Sequence, residues 1–196
     1  MSAVNQTFFD RPWCKMRALG FGYEKESVPR PGKPGEKMMV TADDPNLSIN
    51  GGIRSPVAHT IPIDTMIYRF GSNGVPAIVA MGEWWFDEDS FGKIRDIAAL
   101  HRISFGEAVR ATCYVPPEWS NLSTLVCAKT RDILASYRGR AAPVRIKAGD
   151  GTLTGTMTAR NFPDRVDQLY IPGFASVDIQ RQALGMIQPV FLPPTP

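Results

Sequence analysis

Histidine and cysteine are scarce in this chain, two and three residues among 196. Cys14, Cys113 and Cys127 stand far apart with no Cys-x-x-Cys pair, and His59 and His101 complete the set of soft ligands. That spacing does not build a structural zinc site, and an odd number of widely separated cysteines does not build a disulfide scaffold. Free thiols fit a reducing compartment, although one bridge plus one free thiol would also account for three cysteines. Long apolar runs are missing too, none approaching the roughly 18 residues that a spanning helix needs. No Lys/Arg run reaches five residues and the net charge is only +3, so neither nucleic acid nor a membrane is expected as a partner. Residues 1–30 lack the basic-then-apolar design of a cleaved leader, which points to the cytoplasm or to delivery by a specialised secretion route. Also absent are a Gly-x-Gly-x-x-Gly opening a helix, a Walker sequence and a Gly-x-Ser-x-Gly elbow. A nucleotide held on a Gly-rich loop and acyl transfer from a hydrolase elbow are therefore set aside.

What is present is ordinary globular composition, 43% apolar and 21% charged, with 17 prolines and 17 glycines as punctuation. One packed domain is the expectation. Residues 7–23 carry Phe8, Phe9, Trp13, Phe21 and Tyr23, too aromatic for a free tail; they form an arm that packs on its own body or docks on a partner. Residues 24–37 hold three prolines and two glycines among charges, a composition that predicts an exposed loop rather than helix or sheet. The division expected is an aromatic arm and Pro/Gly-rich loop over 1–40, an α+β domain over 41–192 and a Pro-rich tail over 193–196.

Turn signals at Asp44-Pro45-Asn46 and Asn50-Gly51-Gly52 predict irregular structure from Asp43 to His59. Residues 63–70 and 75–81 read as two short strands joined by Gly71-Ser72-Asn73-Gly74. After Phe86 the pattern turns helical: Asp87, Glu88 and Asp89 place negative charge at a helix start, Phe91, Ile94, Ile97 and Ala98 form a stripe, and His101 and Arg102 close it. Ser104-Phe105-Gly106-Glu107 reads as a capping box opening a second helix, which Pro116-Pro117 forbids from passing Tyr114. Residues 120–138 fit either period; a strand near 123–128 and a further element near 131–137 are expected. Further strands are expected at 143–147 and 152–159 around a Gly149-Asp150-Gly151 turn, at 168–171 before Pro172-Gly173, and at 190–192, with a short helix over 179–187. Strands interrupted by two to four short helices indicate a single mixed α+β domain with a mainly antiparallel, split or curved sheet.

Two neighbouring runs carry the densest chemistry, Ile67-Tyr68-Arg69-Phe70-Gly71 and Gly82-Glu83-Trp84-Trp85-Phe86-Asp87. A guanidinium forks onto phosphate or carboxylate and stacks on rings, and indole offers a broad π-surface for a base or a pyridinium. If 84–86 is a strand, Trp84 and Trp85 point to opposite faces, one free to meet a ligand while the other fills the core.

These two runs, followed by Gln168-Leu169-Tyr170-Ile171-Pro172-Gly173, resemble the pattern of the ADP-ribosyltransferases over about residues 63–175. The resemblance implies NAD as the cofactor, with Tyr68 and Arg69 on its first strand, Arg69 on the phosphates, and an aromatic among Trp84, Trp85 and Phe86 flanking the nicotinamide. It places Gln168 where the family has its catalytic glutamate, with Asp167 beside it as the alternative carboxylate. The family's Ser-Thr-Ser on the second strand is replaced by Trp84-Trp85-Phe86. A glutamine cannot act as a general base, so either Asp167 substitutes, or the target is unusual, or the protein only binds. The expected function is NAD-dependent modification of a protein or other macromolecular acceptor, as by a toxin, effector or regulator. The rival is a non-catalytic adaptor of a larger assembly that docks through the 7–23 arm.

Overall fold

The computed structural model describes residues 2–23, 25–41, 43, 48–72, 74–148, 152–158 and 166–190. In chain order these form α1 (Gln6–Phe9), α2 (Cys14–Ala18), β1 (Lys25–Pro29), β2 (Lys37–Thr41), β3 (Val57–Ile61), β4 (Met66–Gly71), α3 (Pro76–Ala80) and β5 (Trp84–Asp87). There follow α4 (Glu88–His101), α5 (Phe105–Cys113), β6 (Thr124–Lys129), β7 (Leu134–Arg140), β8 (Val144–Lys147), β9 (Leu153–Met157), β10 (Asp167–Tyr170), α6 (Val177–Ala183) and β11 (Gln188–Val190). Seven strands make one sheet in the order β11-β6-β4-β5-β10-β7-β3, every pairing antiparallel, and β1-β2 and β8-β9 stand as separate hairpins. The chain is a single mixed α+β domain. Among the described residues no helix is long and apolar enough to cross a membrane.

The two faces of the sheet bury different sets of side chains because successive strand residues alternate. One face packs Ile67, Trp85, Val126, Leu134 and Leu169 against Val79 of α3, Phe174 and Ala183 of α6. On the other, Phe70, Phe86 and Leu125 meet Ile94, Ile97, Val109 and Cys113 of α4 and α5. Trp84 and Tyr170 extend that face towards Cys14 and Ala18 of α2, where Phe9 stacks on Tyr137 with ring centroids 4.8 Å apart. Asn5 fixes the start of the arm, donating to the carbonyls of Ala135 and Pro172 and accepting from the Ala135 N–H. The aromatic arm thus lies on its own body, with Trp13 left exposed.

The helices over 88–101 and 105–113 start and stop where their caps are written. The Asp87 carboxylate accepts from the Ser90 N–H at 2.8 Å. Ser104 and Glu107 form the reciprocal capping box, and Arg102 and Tyr114 end their helices in the left-handed region at φ 52° and 53°. Ile94 and Ile97 are buried, each contributing about 1.5–3 kcal/mol by leaving water.

Three expectations are corrected. The apolar run 75–81 is not a strand but α3, because Pro76 sits at the first helical turn, where its missing N–H costs nothing. Residues 27–37 are largely exposed, but the segment is not without sheet: β1 and β2 pair from Lys25↔Thr41 to Pro29↔Lys37, Arg30 ion-pairs Glu36 at 3.0 Å, and Gly32 and Gly35 take positive φ in the tip. A two-stranded ribbon tolerates proline because each strand has an open edge. The irregular stretch expected to reach His59 ends earlier, at β3, whose residues pair with Leu134–Arg138 of β7. The Gly149-Asp150-Gly151 turn, residues 191–192 of the last expected strand and the 193–196 tail lie outside the described residues.

Candidate functional site

β4 and β5 begin as neighbours and then part. They pair at Ile67↔Asp87 and Tyr68↔Phe86 and no further, while β4 continues along β6 to Gly71↔Thr124. Arg69 fills the opening. Its Nε donates to the Val79 carbonyl at 2.6 Å and its Nη1 to the Trp84 carbonyl at 2.5 Å, tying α3 and β5 to β4. Gly82 is required there, since a Cβ at that position would overlap the guanidinium. Enclosure pushes the Arg69 pKa down to about 10, with the charges of Tyr23 and Glu83 acting the other way, so the side chain remains a cation at neutral pH.

The strand alternation separates the two tryptophans. Trp85 is fully buried, packs edge-to-face on Phe174 at 5.6 Å and donates from Nε1 to the Gly82 carbonyl. Trp84 takes the opposite face, donating from Nε1 to the Tyr23 hydroxyl at 2.7 Å and lying 5.1 Å from the Tyr170 ring. Tyr23 in turn stacks on Trp119 at 5.9 Å and carries the Arg17 guanidinium 4.6 Å from its ring centroid. Burial, the largest influence, raises the Tyr23 pKa.

The same alternation parts Gln168 from Asp167 on β10. Asp167 receives Arg138 Nε at 3.1 Å, and Arg138 Nη1 also reaches Asp87 at 3.0 Å, a three-member ion cluster. Gln168 is 8% exposed, and among the described residues the fully buried side-chain atom without a hydrogen-bond partner is Nε2 of Gln180, not an atom of Gln168.

Arg69, Trp84, Phe86 and Gln168 line one cavity of about 250 Å³, together with Tyr23 and Trp119. It lies over β4, β5 and β10, where the arm meets α5. Val109, Cys113 and Val144 add apolar wall, and burial pushes the Cys113 thiol up to about 12, which leaves it protonated and unreactive. Three of the expected site residues stand apart from the lining. Tyr68 stacks on Phe91 at 4.1 Å, Trp85 fills the core and Asp167 is held by Arg138. Tyr23 and Trp119 were not singled out as ligand contacts by sequence reasoning. Their clue was an aromatic in a Pro/Gly-rich context, which does not reveal what it will stack on. Among the described residues the lining holds one ionised side chain, Arg69, and no carboxylate. No cluster of metal-ligating side chains is found among them.

Compared with family models, with curated proteins and with solved structures, the chain matches none.

Proposed function

We propose that this cavity receives the nicotinamide end of NAD and that the chain is an ADP-ribosyltransferase-like protein acting on a macromolecular acceptor. The observation that carries the reading is the convergence of Arg69, Trp84, Phe86 and Gln168, from three strands, on one cavity. Flat aromatic walls suit a planar ring, and the Gln168 amide offers one acceptor and two donors, the complement of a carboxamide edge or of a ribose hydroxyl. A volume of about 250 Å³ falls below the roughly 300–1,000 Å³ of sites that enclose a drug-sized ligand. It therefore suits the ring and part of its ribose, with the rest of the dinucleotide outside the mouth.

The roles follow from these positions. Arg69 has Nε and Nη1 committed to carbonyls, so it acts as a fixed positive wall more than as a fork for phosphates. Gln168 orients; it does not take a proton. NAD supplies a ribose whose bond to the nicotinamide nitrogen breaks with both electrons leaving on the ring, while an acceptor nucleophile gives a pair to the same carbon and loses its proton to solvent. With no carboxylate in the lining among the described residues, the acceptor would bring its own activation. That same lack favours the rival reading, a non-catalytic protein that binds and does not transfer.

Titration calorimetry with NAD tests the proposal on the wild type and on Gln168→Leu, whose volume and burial are similar. Saturable binding that weakens at least about tenfold in the variant, with an unchanged melting temperature, is expected. No heat and no thermal shift at millimolar NAD overturns it. Binding without nicotinamide release in the presence of candidate acceptor proteins assigns the chain to the binding-only role.

A further inference from the structure

We propose that the outer edge of β3 is an interface between two copies of this chain, paired antiparallel about a two-fold axis at His59 so that their seven-stranded sheets join into one. The interface lies apart from the cavity, whose lining includes no residue of β3, and it does not depend on what the cavity binds.

A sheet edge presents a row of unpaired N–H and C=O groups, and proteins blunt such rows with charge, proline, bulges or shortness. The two edges of this sheet differ in that respect. β11 is three residues long with Pro189 at its centre, so it is blunted twice. β3, at the other edge, pairs with β7 over five residues in unbroken register, and Val57-Ala58-His59-Thr60-Ile61 holds no lysine, arginine, carboxylate or proline. Pro56 and Pro62 stand just outside it, so they bound the open edge without interrupting it. Val57 is 67% exposed, and Ala58 and Thr60 are exposed too. Among the described residues no strand lies along this side.

The strand is also complementary to itself. In an antiparallel pairing centred on His59, Val57 of one copy lies across from Ile61 of the other and Ala58 from Thr60, with no like charges opposed. The charges that flank the strand are of opposite sign, Arg54 before it and Asp64 after it, and both are exposed. Antiparallel pairing therefore sets unlike charges at each end of the interface. His59 meets its own copy on the axis, where it must be neutral. Burial first, then Arg138 of β7, holds its pKa below the ordinary 6.5, with Asp87 of β5 acting the other way; Asp167 of β10 is held by Arg138. At neutral pH the two imidazoles are uncharged, whereas acid sets two cations opposite each other, at a Cβ separation of about 4.5–5.5 Å. One edge strand from each copy makes a small interface, so a micromolar dimer is expected rather than an obligate one.

Sedimentation equilibrium of the intact chain tests this. At about pH 7.5 the wild type is expected to show a monomer-dimer equilibrium between about 1 and 200 µM, and at about pH 5 the dimer should weaken at least about tenfold. His59→Lys, which opposes two cations throughout this range, should be monomeric, and His59→Gln should dimerise alike at both pH values. Thermal melts followed by circular dichroism check that each variant is folded. If His59→Lys is not, Thr60→Lys, at an exposed position on the same edge, repeats the test. A wild type that stays monomeric, assemblies larger than two, a dimer equally strong in acid, or a dimer that survives the folded lysine variant each overturn the inference, and none of these results bears on NAD binding.

Discussion

Gly82 and Arg69 show how one missing carbon decides a local architecture. The guanidinium lies where a Cβ of residue 82 would be, and both carbonyls that hold it belong to segments that β4 must keep in place. Gly82→Ala should therefore either expel Arg69 from its two bonds or push β5 away, at about 2–4 kcal/mol, read from the midpoint of urea unfolding. Gly92→Ala makes the contrast: in α4 a Cβ there meets nothing within 4 Å, and removing a helical glycine should stabilise by about 0.5–1 kcal/mol. Equal midpoints for Gly82→Ala and wild type would show that Arg69 is free to move. The same geometry explains why Arg69→Ala is a poor probe of ligand binding. That arginine is part of the frame as well as of the wall, a fact invisible in the sequence because its partners, residues 79 and 84, meet it only after the strands part.

Elements with chemically explicit ends were read from sequence with their boundaries nearly right. Asp87 and Ser104 each start a helix by accepting from a backbone N–H three residues on, so no distant contact is needed to place them. Ser104→Ala should cost about 1 kcal/mol in thermal or chemical unfolding. The box also has a pH signature. Glu107 accepts from the Ser104 N–H, the leading influence, and from its hydroxyl, which holds its carboxyl below the ordinary 4.5. A depressed folded pKa means that the contribution is whole above 4.5 and fades as pH falls through the lower folded value. Glu107→Gln should flatten that part of the acid limb, and an acid limb identical to wild type would remove the box from the account. The segment 75–81 was misread for the complementary reason: an unbroken apolar run of seven residues has no period of its own, and Pro76 at a helix start outweighed the run.

For the molecule as a whole, the three thiols report on packing. Cys14 opens α2 and packs with Ile53 and Tyr170, Cys113 ends α5 and Cys127 lies within β6; all three are buried and free. Burial pushes Cys14 up to about 11 and Cys113 up to about 12, and it raises Cys127 as well. In the folded protein at pH 8 a thiol-reactive chromogen should therefore react slowly, and the whole complement should react at once in denaturant. A thiol that reacts immediately in the native state would mean that its cover, the arm for Cys14 or the α4–α5 layer for Cys113, does not stay closed.

Local grammar was enough for much of this protein. A mixed α+β domain, the two capped helices, the strands at 124–129 and 167–170 and the opposed faces of Trp84 and Trp85 all follow from caps, turns and the two-residue period, which act over a few neighbours. The cavity needed the assembled sheet. Arg69, Trp84 and Gln168 meet because β5 lies between β4 and β10, an order no spacing encodes, and the wall is completed by Tyr23 and Trp119 from segments with no regular pattern. Whether Gln168 or Asp167 faces that space was fixed by the register of β10 on β5 and β7, since a shift of one residue exchanges the two faces.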